Sequence, residues 1–172
     1  MSEKNKVKVL AVFGSYNFNT NIIGQSRGNR SKRLSSIFHV LKEIKPKKVL
    51  YVPTQGINAV IGGILNELKI KRTMVVPYPG FAESLPRIQR LLIKEAWNEK
   101  YSSAFFLADH EREISFSKRS QLLNQATEHL VSQSDAALVL HGETQPEHLK
   151  GIVAMLEKQD KPTYIFNYDD FS

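Results

Sequence analysis

A chain of 172 residues, 41% hydrophobic and 24% charged, is long enough for one domain with a buried core and too short for two ordinary ones. It contains no cysteine, which excludes disulfides, thiolate catalysis and cysteine-ligated zinc, and no apolar stretch approaches the ~20 residues of a membrane span. The formal charge of +7 is uneven: residues 1–50 carry eleven Lys/Arg against two acids, and residues 51–172 thirteen against fifteen.

A basic end of this kind suits a phosphorylated small molecule, a nucleic acid, or simply a solvated face. The opening MSEKNKVKVL lacks the apolar core of a secretory signal, so a cytoplasmic protein without membrane contact is expected. No repeat or linker divides residues 1–172, which read as a single domain.

Short β-branched runs alternate with amphipathic stretches along the chain. Val7–Phe13 is the first predicted strand, followed by a polar loop from Gly14 to about Arg30. Ser31–Ile44 reads as a helix, with Leu34, Ile37, Phe38, Leu41 and Ile44 on one face, and Pro46 ends it. Lys48–Pro53 is the second strand and Ala59–Leu68 the second helix, with Ile61, Ile64, Leu65 and Leu68 inward. Thr73–Tyr78 is the third strand, closed by Pro79-Gly80. The helix expected over Leu85–Asn98 carries Leu85, Ile88, Leu92 and Ala96 on its buried stripe.

Ser103–Ala108 is the fourth strand, Ser117–Val131 a helix with Leu123, Ala126 and Leu130 inward, and Ala136–Leu140 the fifth strand. Thr144-Gln-Pro-Glu147 has the form of a capping box. The helix it opens turns Leu149, Ile152, Val153 and Leu156 inward, and Pro162–Tyr168 is the sixth strand. This order predicts an α/β fold, a three-layer Rossmann-like sandwich around a mostly parallel sheet of about six strands. Ligands of such sheets bind beyond the carboxyl ends of the strands, where the strand order reverses.

The strand ends are therefore where chemistry is expected. After the first strand, Gly14 permits close backbone approach and Ser15 offers a hydroxyl. The loop NFNTNIIGQSRGNRSKR, residues 17–33, then gathers Arg27, Arg30, Lys32 and Arg33 with no acid among them. Guanidinium forks match phosphate oxygens, and a helix start adds free N–H groups. After the second strand, Thr54, Gln55, Gly56 and Asn58 either present N–H groups to a ligand or only turn the chain into a helix. This segment is neither a Walker A loop nor a dinucleotide GxGxxG.

Gly62 and Gly63 fall inside the predicted helix, where each costs ~1 kcal/mol against alanine, so close packing or room for a ligand is expected there. Tyr78 and Phe81 offer aromatic surface for a pocket or the core. Asp109-His110 with Glu111 and Glu113 lacks a second histidine at ligand spacing, so no metal is expected. His141 and Glu143 form the one acid/base pair placed at a strand end.

From Val9 to Phe166 the order of these signals resembles the SLOG superfamily of Rossmann-like domains, whose members include DprA, YpsA-like proteins and LOG-type nucleotide phosphoribohydrolases. The likeness lies in VLAVFGSYN, in the turn VPTQGINAVIGG (residues 52–63) with its flanking strands, in FSKRSQLLNQATEHLVSQSDAALVL and in GETQPEHLKGIVAMLEKQDKPTYIF. It implies a ligand cradle of Gly14, Ser15, Thr54 to Asn58, Arg119, and Gly142 to Thr144.

Departures bear on activity. Tyr16 stands where an arginine often follows Gly-Ser, Asn58 where many relatives have an acid, and Arg119-Ser120 where the late helix often has arginine-asparagine. HGETQPEHLKG occupies the place of the PGGxGTxxE hydrolase signature. The expectation is accordingly a binding module, a sensor or accessory protein, for a nucleotide or nucleotide-derived phosphorylated ligand at the carboxyl ends of the strands, requiring no cofactor and forming a homo-oligomer. The alternatives are DprA-like single-stranded DNA binding through residues 27–33, and N-glycosidic cleavage with Glu143 or Asp109 as the carboxylate.

Overall fold

The computed structural model describes residues 6–16, 18, 27–107, 115–142 and 144–170, the side chains of residues 27–31 and 116 excepted. In chain order it runs β1 (Val9–Gly14), α1 (Arg27–Ile44), β2 (Lys48–Tyr51), α2 (Ile57–Glu67), β3 (Lys71–Val76), α3 (Arg87–Glu95), β4 (Ser102–Phe106), α4 (Phe116–Gln133), β5 (Ala136–His141), α5 (Glu147–Lys158) and β6 (Thr163–Asn167). The six strands form one sheet in the order β4-β3-β2-β1-β5-β6, and every neighbouring pair is parallel. The expected α/β sandwich is therefore present, with a sheet that is parallel throughout.

Alternation along the central strands assigns the two cores. Leu10 and Val12 of β1 with Leu138 and Leu140 of β5 face Ile37 and Leu41 of α1 and Ile57, Ile61 and Leu65 of α2. Ala11 and Phe13 with Ala137 and Val139 face Leu122, Ala126 and Leu130 of α4 and Leu149 and Leu156 of α5. Each fully buried aliphatic side chain contributes roughly 1.5–3 kcal/mol. Together they fix the register, because a one-residue slip would exchange the two faces.

Helix boundaries shift in instructive ways. The backbone of α1 begins at Arg27, four residues before the expected Ser31, so the helix takes in Arg27 and Arg30. The helix expected over Leu85–Asn98 is shorter at both ends: a 3-10 turn precedes it at Phe81–Ser84, Pro86 caps α3, and α3 runs only from Arg87 to Glu95. Its expected stripe is half right. Leu85 and Ala96 are buried, but Ile88 is 49% exposed and no residue within α3 is fully buried. Spacing marked an amphipathic helix, and the helix lies at the margin of the core. On α4 the deeply buried leucine is Leu122, with Leu123 half-buried.

The paired glycines of α2 divide the two expectations between them. A Cβ on Gly62 would lie 2.7 Å from Ala96 Cβ and 3.4 Å from the Tyr51 hydroxyl, so this glycine permits close packing of α2 on α3. Gly63 meets nothing and opens onto a groove of about 560 Å³ over α2, between α1 and α3.

Beneath that contact lies Arg72, only 2% exposed, on β3. Its Nη2 donates to Asn66 Oδ1 at 2.6 Å and to the Ala96 carbonyl at the end of α3. A cation is well placed there, against the negative end of the helix dipole. Burial pushes the neighbouring Tyr51 hydroxyl up to about 12 despite the opposing Arg72 charge.

Candidate functional site: the crevice at the carboxyl ends of the strands

Strand order reverses at β1, which pairs in parallel with β2 on one side and with β5 on the other, so the switch point falls between the ends of β1 and β5, at Gly14 and Gly142. The two strands are in register there, Gly14 opposite Leu140, and Ser15 N–H donates to the Leu140 carbonyl at 3.0 Å. Gly14 is required by its surroundings. A Cβ would come within 2.6 Å of Ile57 Cγ2 and 2.8 Å of Asn58 Oδ1, so the strand end fits against the first turn of α2 only without a side chain.

Gly56 is required twice over. Its φ of +84° suits glycine, and a Cβ would collide with the Ser15 carbonyl. That contact settles how the N-terminus of α2 is used. Gly56 N–H donates to Gln89 Oε1 at 3.2 Å, Ile57 N–H to the Ser15 carbonyl at 3.2 Å, and Ala59 N–H to the Gly56 carbonyl at 3.1 Å. The Thr54–Asn58 turn thus spends these donors on the protein itself. Gln55 is exposed, whereas Thr54 and Asn58 are buried, at 7% and 4% exposure. Asn58 Nδ2 donates to the Val52 carbonyl at 2.8 Å, while Asn58 Oδ1 and Thr54 Oγ1 have no partner among the described residues.

The β5 side is closed by Tyr168 and Asp169, directly after β6. Ser15 is fully buried and its hydroxyl meets that of Tyr168 at 2.7 Å. Tyr168 N–H donates to the His141 carbonyl at 2.9 Å, and Asp169 pairs with Arg33 of α1. Burial raises the Tyr168 hydroxyl above its ordinary value, which the Ser15 hydrogen bond opposes. Gly142 makes room for this cover, since a Cβ would lie 2.8 Å from Asp169 Oδ2.

The N-terminus of α5 differs from that of α2. The capping box expected of Thr144 and Glu147 is not formed: Pro146 is the cap residue, no side chain caps the helix, Thr144 is exposed, and Glu147 turns to Lys150 at 3.1 Å. Pro146 shifts the helix start two residues beyond Thr144, out of reach of the reciprocal bonds. In the first turn, His148 stacks on Tyr16 with ring centroids 4.0 Å apart and 11° between planes. Burial lowers the His148 pKa below its ordinary value, and interaction with the Gly14 backbone raises it in part. Its Nε2 is also without a partner among the described residues.

Other predicted positions fall elsewhere. Arg119 is exposed on α4, with its guanidinium 5.9 Å from the centre of the Tyr78 ring, near the end of β3. Tyr78 and Phe81 are buried and pack edge to face at 5.4 Å, which makes them core. His141 Nδ1 lies 2.7 Å from the Gly142 carbonyl, and its expected partner Glu143 lies outside the described residues. Asp109 lies outside them too, as do the side chains of Arg27 and Arg30.

Tyr168, Asp169, Gln89 and His148 were not foreseen as crevice residues. Their positions follow from tertiary packing, and His148 alone had a usable signal, its place in the first turn after a strand end. Among the described residues no group of three His, Asp or Glu side chains could hold a metal ion. No helix there is long and apolar enough to cross a membrane.

Fold and crevice together define an all-parallel, three-layer α/β sandwich of Rossmann-like type with glycines flanking its switch point. No protein-family model matches the chain, and no curated protein matches it in sequence.

Proposed function

We propose that the protein binds a nucleotide or nucleotide-derived phosphorylated ligand at the β1/β5 switch point, with the phosphate seated on the N-terminus of α5. The observation that carries this reading is the contrast between two helix starts at one crevice. Neither helix has a side-chain cap, but the Gly56 and Ile57 N–H groups at the start of α2 are taken by Gln89 and Ser15, whereas at the start of α5 only the Leu149 and Lys150 N–H groups find a partner among the described residues, both in the Pro146 carbonyl. The first N–H groups of a helix have no partner within it, and they concentrate the positive end of its dipole. An anion is the natural partner for such an end.

The first turn of α1 contains no acid, the right sign of charge for such a ligand. The reading is a binding reading, not a catalytic one. His141 is turned onto its neighbour's carbonyl, and the sequence carries no hydrolase signature after β5.

A thermal-shift panel of mononucleotides, cyclic dinucleotides and ADP-ribose derivatives tests it. A ligand that binds only the folded chain raises Tm by mass action, by about 2.7 kcal/mol of stability at a hundredfold excess over Kd. Stabilisation by at least one phosphorylated compound, and none by its nucleoside, is expected. No shift with any of them at millimolar concentration contradicts the proposal.

A further inference from the structure

Beside Gly14, a small, partly open cavity of about 20 Å³ is lined by β1, the turn between β2 and α2, α2, α4 and α5. Thr54, Asn58 and His148 all line it, and each contributes a buried polar atom that finds no partner among the described residues: Thr54 Oγ1, Asn58 Oδ1 and His148 Nε2. Thr127, which also lines it, is already satisfied by the Leu123 carbonyl at 3.2 Å.

Such atoms are rare singly in folded proteins, because each unpaired buried group carries its full desolvation cost. Three around one small hollow therefore share a cause. The hollow exceeds the ~10–15 Å³ that a water molecule needs, and it has the two to four polar neighbours that hold one.

We infer that this cavity is a binding site for a single water molecule, held by Thr54 Oγ1, Asn58 Oδ1 and His148 Nε2. The donor count selects the occupant. Asn58 Nδ2 is committed to the Val52 carbonyl, so Oδ1 faces the cavity and accepts only. The occupant must therefore donate a hydrogen bond. Thr54 can give or take one, and the neutral imidazole Nε2 does either according to tautomer, so a water satisfies all three in any arrangement.

A fully deprotonated anion cannot, because it brings no proton to Asn58 Oδ1. Gly14 forms part of the wall: a Cβ there would sit 2.8 Å from that oxygen, and the bare backbone leaves it accessible. The water links α2 on one face of the sheet to α5 on the other. It also separates two uses of the crevice, since a ligand's phosphate has no seat on the Thr54–Asn58 side.

Two measurements on the full chain test the site. Water–protein cross-relaxation in NMR spectra of the wild type should give cross-peaks between water and both the Thr54 side chain and the Asn58 amide, with the sign of a long-lived complex. Their absence, with the Thr54 and Asn58 resonances assigned, means a dry cavity and overturns the inference.

In Thr54→Val, which keeps the shape and removes the hydroxyl, Tm should fall by about 2–4 °C, the shift expected for one buried hydrogen bond in a chain of this size. An unchanged or higher Tm shows that the hydroxyl was a bare unpaired group, and this too overturns it. Should the variant fail to fold, the wild-type cross-relaxation decides.

Discussion

On the β6 side of the switch point the Ser15 hydroxyl meets that of Tyr168 and the Arg33 guanidinium meets Asp169. Around the small cavity on the other side of Gly14, Thr54 Oγ1, Asn58 Oδ1 and the Nε2 of His148 from α5 are all without partners among the described residues. The two regions flank the same strand end and use the same kinds of side chain. Among the described residues, only the first closes its hydrogen bonds within the protein. A buried polar group that is satisfied internally holds the fold, and one that is not requires something from outside. The backbone differs too: the start of α2 donates outside its helix to Gln89 and Ser15, whereas the bonded N–H groups of the first turn of α5 reach only its own cap carbonyl at Pro146.

The largest effect should come from breaking the seat of α2. Gly56→Ala places a side chain at positive φ and against the Ser15 carbonyl, and should cost about 3 kcal/mol or more in urea unfolding. A loss below 1 kcal/mol would show that this turn relaxes, and that its N–H groups are not committed to Ser15.

Next in size is the paired side. Ser15→Ala leaves the Tyr168 hydroxyl buried and unpaired, and Tyr168→Phe does the reverse, so each should cost about 1–3 kcal/mol. The double variant should cost clearly less than the two summed, with a coupling of about 0.5 kcal/mol or more. Strict additivity would mean that the two hydroxyls do not depend on each other, and the contrast with the Thr54 side would disappear.

The smallest effect is electrostatic. His148 has a folded-state pKa below its unfolded value, so the unfolded chain binds more protons as pH falls through that range. The stability that the neutral ring contributes is present above the ordinary histidine value of ~6.5 and is lost as pH falls through the depressed folded value. Wild type should therefore lose more stability between pH 7.5 and 5 than His148→Gln does. Equal slopes in paired urea titrations would place His148 in solvent-like surroundings.

How much of this was legible from the residues depends on the kind of interaction. Alternating apolar runs gave all six strands and the two-faced core, because burial periodicity is local information: Leu10 and Val12 against Ala11 and Phe13 is a pattern of one strand. Glycine and serine at the strand ends located the crevice for the same reason. What lay beyond reach was pairing between distant segments. Ser15 and Tyr168 are 153 positions apart, and nothing in FGSY announces a tyrosine at the far end of the chain.

The capping box at Thr144 failed through a local competitor, Pro146, which is well suited to a helix start but moves it two residues on. Ile88 was read as core from its spacing, yet amphipathic spacing cannot tell a helix against the sheet from one at its margin. Arg119 followed from a family resemblance, and the structure sets its guanidinium 5.9 Å from the centre of the Tyr78 ring, just after β3.

The central claim is that one crevice has a phosphate-accepting side at α5 and a water-holding side at Thr54 and Asn58. Backbone amide shifts measured during titration with the phosphorylated compound that most raises Tm test it most directly. The account predicts the largest shifts at Gly142 and at Glu147 and His148, with the Thr54 and Asn58 amides moving little. Largest shifts at Gly56 to Asn58, or no saturable shift at any strand end with any nucleotide, would contradict it.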